Sequence, residues 1–82
     1  MNINIDGHFG KILRKKRTLK GFTQHELADT AKLDRTYISM LERGLRKPSL
    51  EVVINIANVL DLSGADFVLE IEELLKECKP NK

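Results

Sequence analysis

The sequence predicts an all-α fold built around two short helices joined by a tight turn. Three observations carry that expectation. Two helix-start signals stand close together between Phe22 and Gly44, in FTQHELADTAKLDRTYISMLERG. Along most of the chain apolar residues recur at helical rather than alternating spacing. The one brief alternation, Ile3 and Ile5, has no later strand partner. Eighty-two residues make one domain with a modest core, which a dimer interface would usefully stabilise. The expected organisation is a tail over residues 1–8, frayed or a short lead-in, a domain over residues 9–78, and a second tail over residues 79–82.

Helix 1 is expected from about Phe9 to Leu19 or Lys20, ending at Gly21, with Phe9, Ile12, Leu13 and Leu19 as its buried stripe. The run Arg14-Lys15-Lys16-Arg17 spans a full turn, so its charges cannot all face one way. Lys15, Lys16 and Lys20 read as a solvated basic face.

Helix 2 is expected from Gln24 to Ala31. Thr23 with Glu26 three residues on is a capping box, and Phe22 with Leu27 has the spacing of a hydrophobic staple. Leu27, Ala28 and Ala31 form its buried side, and His25 sits exposed in the first turn. Only Lys32 and Leu33 connect it to the next start, at the N-cap residue Asp34. So short a connection forces a sharp crossing, the helix-turn-helix arrangement.

Helix 3 is expected from Arg35 to Arg43, stopped by Gly44 as a C′ glycine. Ile38 and Leu41 must face inward. That leaves Arg35, Thr36, Ser39, Met40 and Arg43 outside and Tyr37 at the margin. The basic loop Leu45-Arg46-Lys47-Pro48 follows. Helix 4 starts at a Ser49 cap and runs to about Leu60, with Leu50, Val53, Ile54, Ala57 and Leu60 as an apolar face. Asp61 and Leu62 turn the chain into a second cap, Ser63 with Asp66. Helix 5 then runs from Gly64 or Ala65 to Cys78, and Pro80 bars further helix. Its apolar stripe is wide for a terminal helix. Phe67, Val68, Ile71, Leu74 and Leu75, with the end of helix 4, are expected at a dimer interface; the alternative is packing into the chain's own core.

Charge is unevenly spread. Residues 1–48 carry eleven Lys/Arg against five Asp/Glu, a net +6, and residues 49–82 carry three against seven, a net −4. A basic half holding the helix-turn-helix suggests that one end meets phosphate while the acidic end is kept off nucleic acid. In a helix-turn-helix, residues at the N-terminal end of the second helix reach base edges. Arg35 can bond guanine O6 and N7 as a fork, and Thr36 and Met40 can touch a thymine methyl. Tyr37 and Ser39 complete the expected base-reading set, Tyr37 having half-buried packing as its alternative. Arg43, Arg46 and Lys47 are expected on phosphates, which position the protein without reading sequence. The free N–H groups at the start of helix 2 suit a phosphate as well.

These segments together resemble a known family. TQHELA followed by LDRTYISMLERG is similar to the phage Cro and repressor type of helix-turn-helix domain, also called the xenobiotic response element type. The resemblance runs from about Phe9 to Leu62 and takes in LRKKR upstream and KPSLEVVINIANVL downstream. It implies a five-helix, lambda-repressor-like DNA-binding domain. It implies that Arg17 pairs with Glu42 inside the domain, with a phosphate contact as the alternative for Arg17. It also implies a backbone contact, or a base contact beside it, for Gln24. DRTYIS with its Glu-Arg-Gly end is especially similar to the small controller proteins of restriction–modification systems. The family often has Gly in the turn, where this chain has Lys32; a left-handed conformation there would cost a non-glycine residue roughly 1–2 kcal/mol.

The function expected is that of a homodimeric transcription regulator, repressor or activator, on a pseudo-palindromic operator in double-stranded DNA, by resemblance an autoregulatory controller of a restriction–modification operon. The other reading is an antitoxin-like, protein-interaction regulator working through helix 5. No nucleophile–base pair, metal-ligand spacing or phosphate-cradling glycine loop suggests an enzyme, and no cofactor or small-molecule ligand is expected. The N-terminus lacks a basic region followed by an apolar run, no apolar stretch approaches the roughly 18 residues of a membrane span, and a single Cys78 fits a reducing compartment. A cytoplasmic, nucleoid-associated protein is the expectation.

Overall fold

The computed structural model describes residues 4–78. They form five helices, α1 (Ile5–Lys20), α2 (Gln24–Ala31), α3 (Arg35–Glu42), α4 (Leu50–Val59) and α5 (Gly64–Cys78), with no strand among the described residues. Residues 1–3 and 79–82 of the expected tails lie outside the description, as do the side chains of Glu77 and Cys78.

Helix α1 begins at Ile5, four residues before its expected start. The reason is Asn4, whose side chain accepts the Gly7 N–H at 3.0 Å and caps the helix ahead of the glycine. Asp6 in the first turn suits the positive end of the helix dipole. Farther along, Leu19 is not part of the buried stripe but 74% exposed. The stripe runs Phe9, Ile12, Leu13, Arg17, and Leu19, two residues past Arg17, is turned to solvent. Gly10 lies on the same buried side. A Cβ there would stand 2.5 Å from the Leu41 carbonyl oxygen, so the missing side chain lets α1 approach the end of α3.

Helix α2 carries the full capping box: Thr23 Oγ accepts the Glu26 N–H at 3.0 Å, and Glu26 Oε1 accepts the Thr23 N–H at 2.9 Å. Its C-cap, Lys32, is left-handed with φ 61°. Asp34 stands at the N-cap of α3 but makes no side-chain cap bond. Arg43 is the C-cap of α3 rather than its last helical residue, and Gly44 at φ 73° turns the chain away.

Helix α4 buries a different stripe from the expected one. Val53, Ile56, Ala57 and Leu60 face the core, whereas Leu50 is 71% and Ile54 46% exposed. The helix is apolar nearly all round, so two stripes at helical spacing overlap in its sequence, and packing selects the one containing Ile56. Asn55 donates from Nδ2 to the Ala31 carbonyl at 2.9 Å and ties α4 to the end of α2. The last two helices meet at a bend of 109°. At the start of α5, Ser63 and Asp66 cap one another reciprocally, at 3.0 and 3.2 Å.

Every helix contributes to the core, through Phe9, Leu13, Leu27, Ile38, Leu41, Ile56 and Phe67, all fully buried. Each such side chain contributes roughly 1.5–3 kcal/mol of transfer free energy. The Phe9 and Phe67 rings pack with centroids 5.3 Å apart and join α1 to α5. Phe67 therefore fills the core of its own chain and cannot supply the contact surface expected of it. Surface ion pairs Lys16–Glu70 and Lys20–Asp61 span α1 to α5 and α1 to the turn after α4.

Candidate nucleic-acid interface

The outer face of α3 is set by what the inner face must bury. Ile38 and Leu41 are fully buried, so the helix has one possible rotation about its axis. Arg35 and Thr36 at its N-terminal end are then exposed. Tyr37, Ser39 and Met40 are half-buried, and Arg43 is exposed at the far end. The five residues expected to read bases thus divide into two exposed side chains and three that offer only part of their surface.

Beneath this face lies a buried ion pair. Arg17 Nε donates to Glu42 Oε2 at 2.5 Å, Arg17 Nη2 donates to Glu42 Oε1 at 3.1 Å, and Arg17 Nη1 donates to the Phe22 carbonyl at 2.8 Å. The Arg17 side chain is 11% and the Glu42 side chain 4% exposed. The pair joins α1 to the end of α3 and anchors the loop that enters α2. So enclosed a guanidinium is not available to a phosphate.

Gln24, in the first turn of α2, is half-buried and points inward as well as outward. Its Nε2 donates to Glu42 Oε1 at 3.1 Å, and its Oε1 accepts from Arg35 Nη1 at 3.4 Å. Helical spacing could not have revealed this, because both partners lie on another helix, α3. Arg43 turns back onto its own helix, Nε donating to the Ser39 carbonyl at 3.4 Å.

The basic loop after α3 is tied at two points. The Arg46 guanidinium stands 5.4 Å from the centroid of the Tyr37 ring, a cation–π distance that links the loop to α3. Lys47 Nζ approaches Asp6 Oδ1, in the first turn of α1, at 3.6 Å. That oxygen is buried and has no hydrogen-bond partner. Arg46 and Lys47 themselves remain exposed. Arg35, Arg43, Arg46 and Lys47 therefore give α3 and its following loop four exposed cationic residues, with the free N–H groups at the start of α2 nearby in the motif.

Elsewhere, no group of three or more His, Cys, Asp or Glu among the described residues is placed to hold a metal ion. No single described helix is long and apolar enough to cross a membrane.

Comparison with known proteins gives this arrangement relatives. A family model described as Helix-turn-helix matches residues 13–67. The HTH-type transcriptional regulator YqaF of Bacillus subtilis (strain 168) is 42% identical over 71 residues, covering 87% of this chain and 90% of YqaF. Other curated relatives are longer, and the chain spans 39% to 59% of their length. Among solved structures, the restriction–modification controller protein C.AhdI from Aeromonas hydrophila superposes with a TM-score of 0.73 at 39% identity, over 76% of this chain and 94% of that one. The biofilm regulator SinR in complex with DNA superposes with a TM-score of 0.70 at 31% identity, over 73% of this chain and 97% of that one.

Proposed function

The chain belongs to the helix-turn-helix family, in its Cro and repressor type, whose members similar to it are transcriptional regulators, and from that premise we propose that it acts as a homodimer reading a pseudo-palindromic operator in double-stranded DNA. The observation that carries this reading is the rotation of α3. With Ile38 and Leu41 locked inward, Arg35 and Thr36 stand exposed at the end of the helix that enters the major groove in such motifs. Arg35 supplies the fork for a guanine, Thr36 a methyl or hydroxyl contact, and Tyr37, Ser39 and Met40 edge contacts. Arg43, Arg46 and Lys47 hold the flanking phosphates together with the N-terminus of α2.

The dimer surface in this reading lies on α4 and α5. Ile54 and Val68, each 46% exposed, and Leu69, 56% exposed, form its uncovered part, with Ile71, Leu74 and Leu75 half-buried beside them. Leu69 replaces Phe67 in the expected set. Likeness to C.AhdI supports a controller of a restriction–modification operon; in this reading the protein acts in the cytoplasm on its own promoter. Catalysis has no part in this reading.

Arg35→Ala tests it. The variant should lose roughly 1–3 kcal/mol of discrimination at one base pair in each half-site. Binding to a panel of single-base operator variants measures this, and an unchanged preference at every position would remove Arg35 from base reading.

A further inference from the structure

The loop that follows α3 rests on the first turn of α1. Gly44 makes the contact: a Cβ there would stand 3.1 Å from the Gly7 Cα, so backbone meets backbone. The turn beneath is held by Asn4, which caps it through the Gly7 N–H. Asp6 is thereby fixed beside the loop, with its Oδ1 3.6 Å from Lys47 Nζ. The two partners differ in freedom. The Asp6 side chain is 27% exposed and its Oδ1 is buried, whereas the Lys47 side chain is 83% exposed on a flexible four-carbon stem. The carboxylate is held in place, and the ammonium can leave it.

A buried carboxylate oxygen without a hydrogen bond costs free energy. The Lys47 ammonium carries three donors, and closing the gap by roughly 0.6 Å would make that bond. Arg46, one residue before, leans instead on the Tyr37 ring. The two cations of the loop are therefore not equivalent, because one of them already faces an anion.

We propose that Asp6 competes with DNA phosphate for Lys47. In the free protein the carboxylate takes the ammonium. On duplex DNA a backbone phosphate must draw the ammonium away or share it with a second anion. The first turn of α1 thus belongs to the DNA interface, as the part that limits affinity. This rests on Lys47 being a phosphate contact, as proposed above. Phosphate contacts carry no sequence information, so the limit falls on operator and random duplex alike.

The test uses the full chain with Asp6→Asn, which keeps the shape and removes the charge, with Lys47→Met, and with both. Each is titrated with the selected operator and with scrambled duplex. Asp6→Asn should tighten both duplexes by the same factor, roughly two- to fivefold at low salt. The gain should shrink as salt rises, because salt screens exposed charges. In the Lys47→Met background it should fall below about 1.5-fold. A gain that persists without Lys47 would mean that Asp6 repels DNA directly. Weaker binding by Asp6→Asn would mean that Asp6 positions the loop for DNA. Either result overturns the competition. If urea titration shows Asp6→Asn unfolded, Asp6→Ser takes its place and leaves the Asn4 cap intact.

A second measurement needs no DNA. The side-chain resonances of Lys47 in the free protein should move in Asp6→Asn. Unmoved resonances, with wild-type protein still binding duplex, would overturn the competition and leave the DNA reading standing. If wild-type protein binds no duplex, the DNA reading fails and the competition falls with it, whatever the resonances do.

Discussion

Arg17 gives its guanidinium to three acceptors at once, both oxygens of Glu42 and the carbonyl of Phe22, in a site almost closed to water. Removing one partner leaves the other charge buried and unpaired, which costs about 3–5 kcal/mol. Arg17→Ala should lower unfolding stability by that amount in urea titration. A loss below about 1 kcal/mol, the usual range for an exposed pair such as Lys20–Asp61, would mean that water reaches the site. In the sequence Arg17 is one of four consecutive cations, and nothing in its spacing separates it from Lys16. Its pairing with Glu42, 25 residues away, came only from resemblance. The amide of Gln24 was less legible still, since its orientation depends on two partners that the fold brings together. Arg35 and Thr36 were legible because burial of Ile38 and Leu41 fixes the helix rotation, and those two apolar residues stand in the sequence at helical spacing.

At the scale of the element, local chemistry explains most helix ends. Thr23 with Glu26 and Ser63 with Asp66 make the reciprocal bonds that their three-residue spacing allows. Two features were hidden. Asn4 caps α1 ahead of a glycine, so the alternation of Ile3 and Ile5 masked a helix start. In α4 the apolar residues outnumber the places in the core, so periodicity could not choose between stripes. The turn between α2 and α3 holds the clearest local cost. Lys32 is left-handed at φ 61°, a conformation that glycine adopts freely. Lys32→Gly should therefore raise stability by about 1 kcal/mol, seen as a higher melting temperature. A lower one would show that the lysine side chain, or its limit on the unfolded chain, outweighs the strain.

Over the whole molecule the two charge halves serve different surfaces. The basic half folds into α1, α2, α3 and the loop after them, which present Arg35, Arg43, Arg46 and Lys47 outward. The acidic half forms α4 and α5, whose exposed Ile54, Val68 and Leu69 would meet a second copy of the chain in the proposed dimer. Phe67 marks the limit of reading a stripe from sequence. Its apolar character is plain, but only the fold shows that Phe9 already covers it. Two copies joined through α4 and α5 would present two α3 helices to successive major grooves, about 34 Å apart or a small multiple of that.

Selection of binding sites from random duplex DNA, followed by titration of the winner at two salt concentrations, tests this most directly. A pseudo-palindrome with fixed half-site spacing, bound more weakly as salt rises, is the expected result. Failure to enrich any motif, with only weak and salt-sensitive binding, would contradict a dimeric sequence reader and point to a protein that works through its α5 surface.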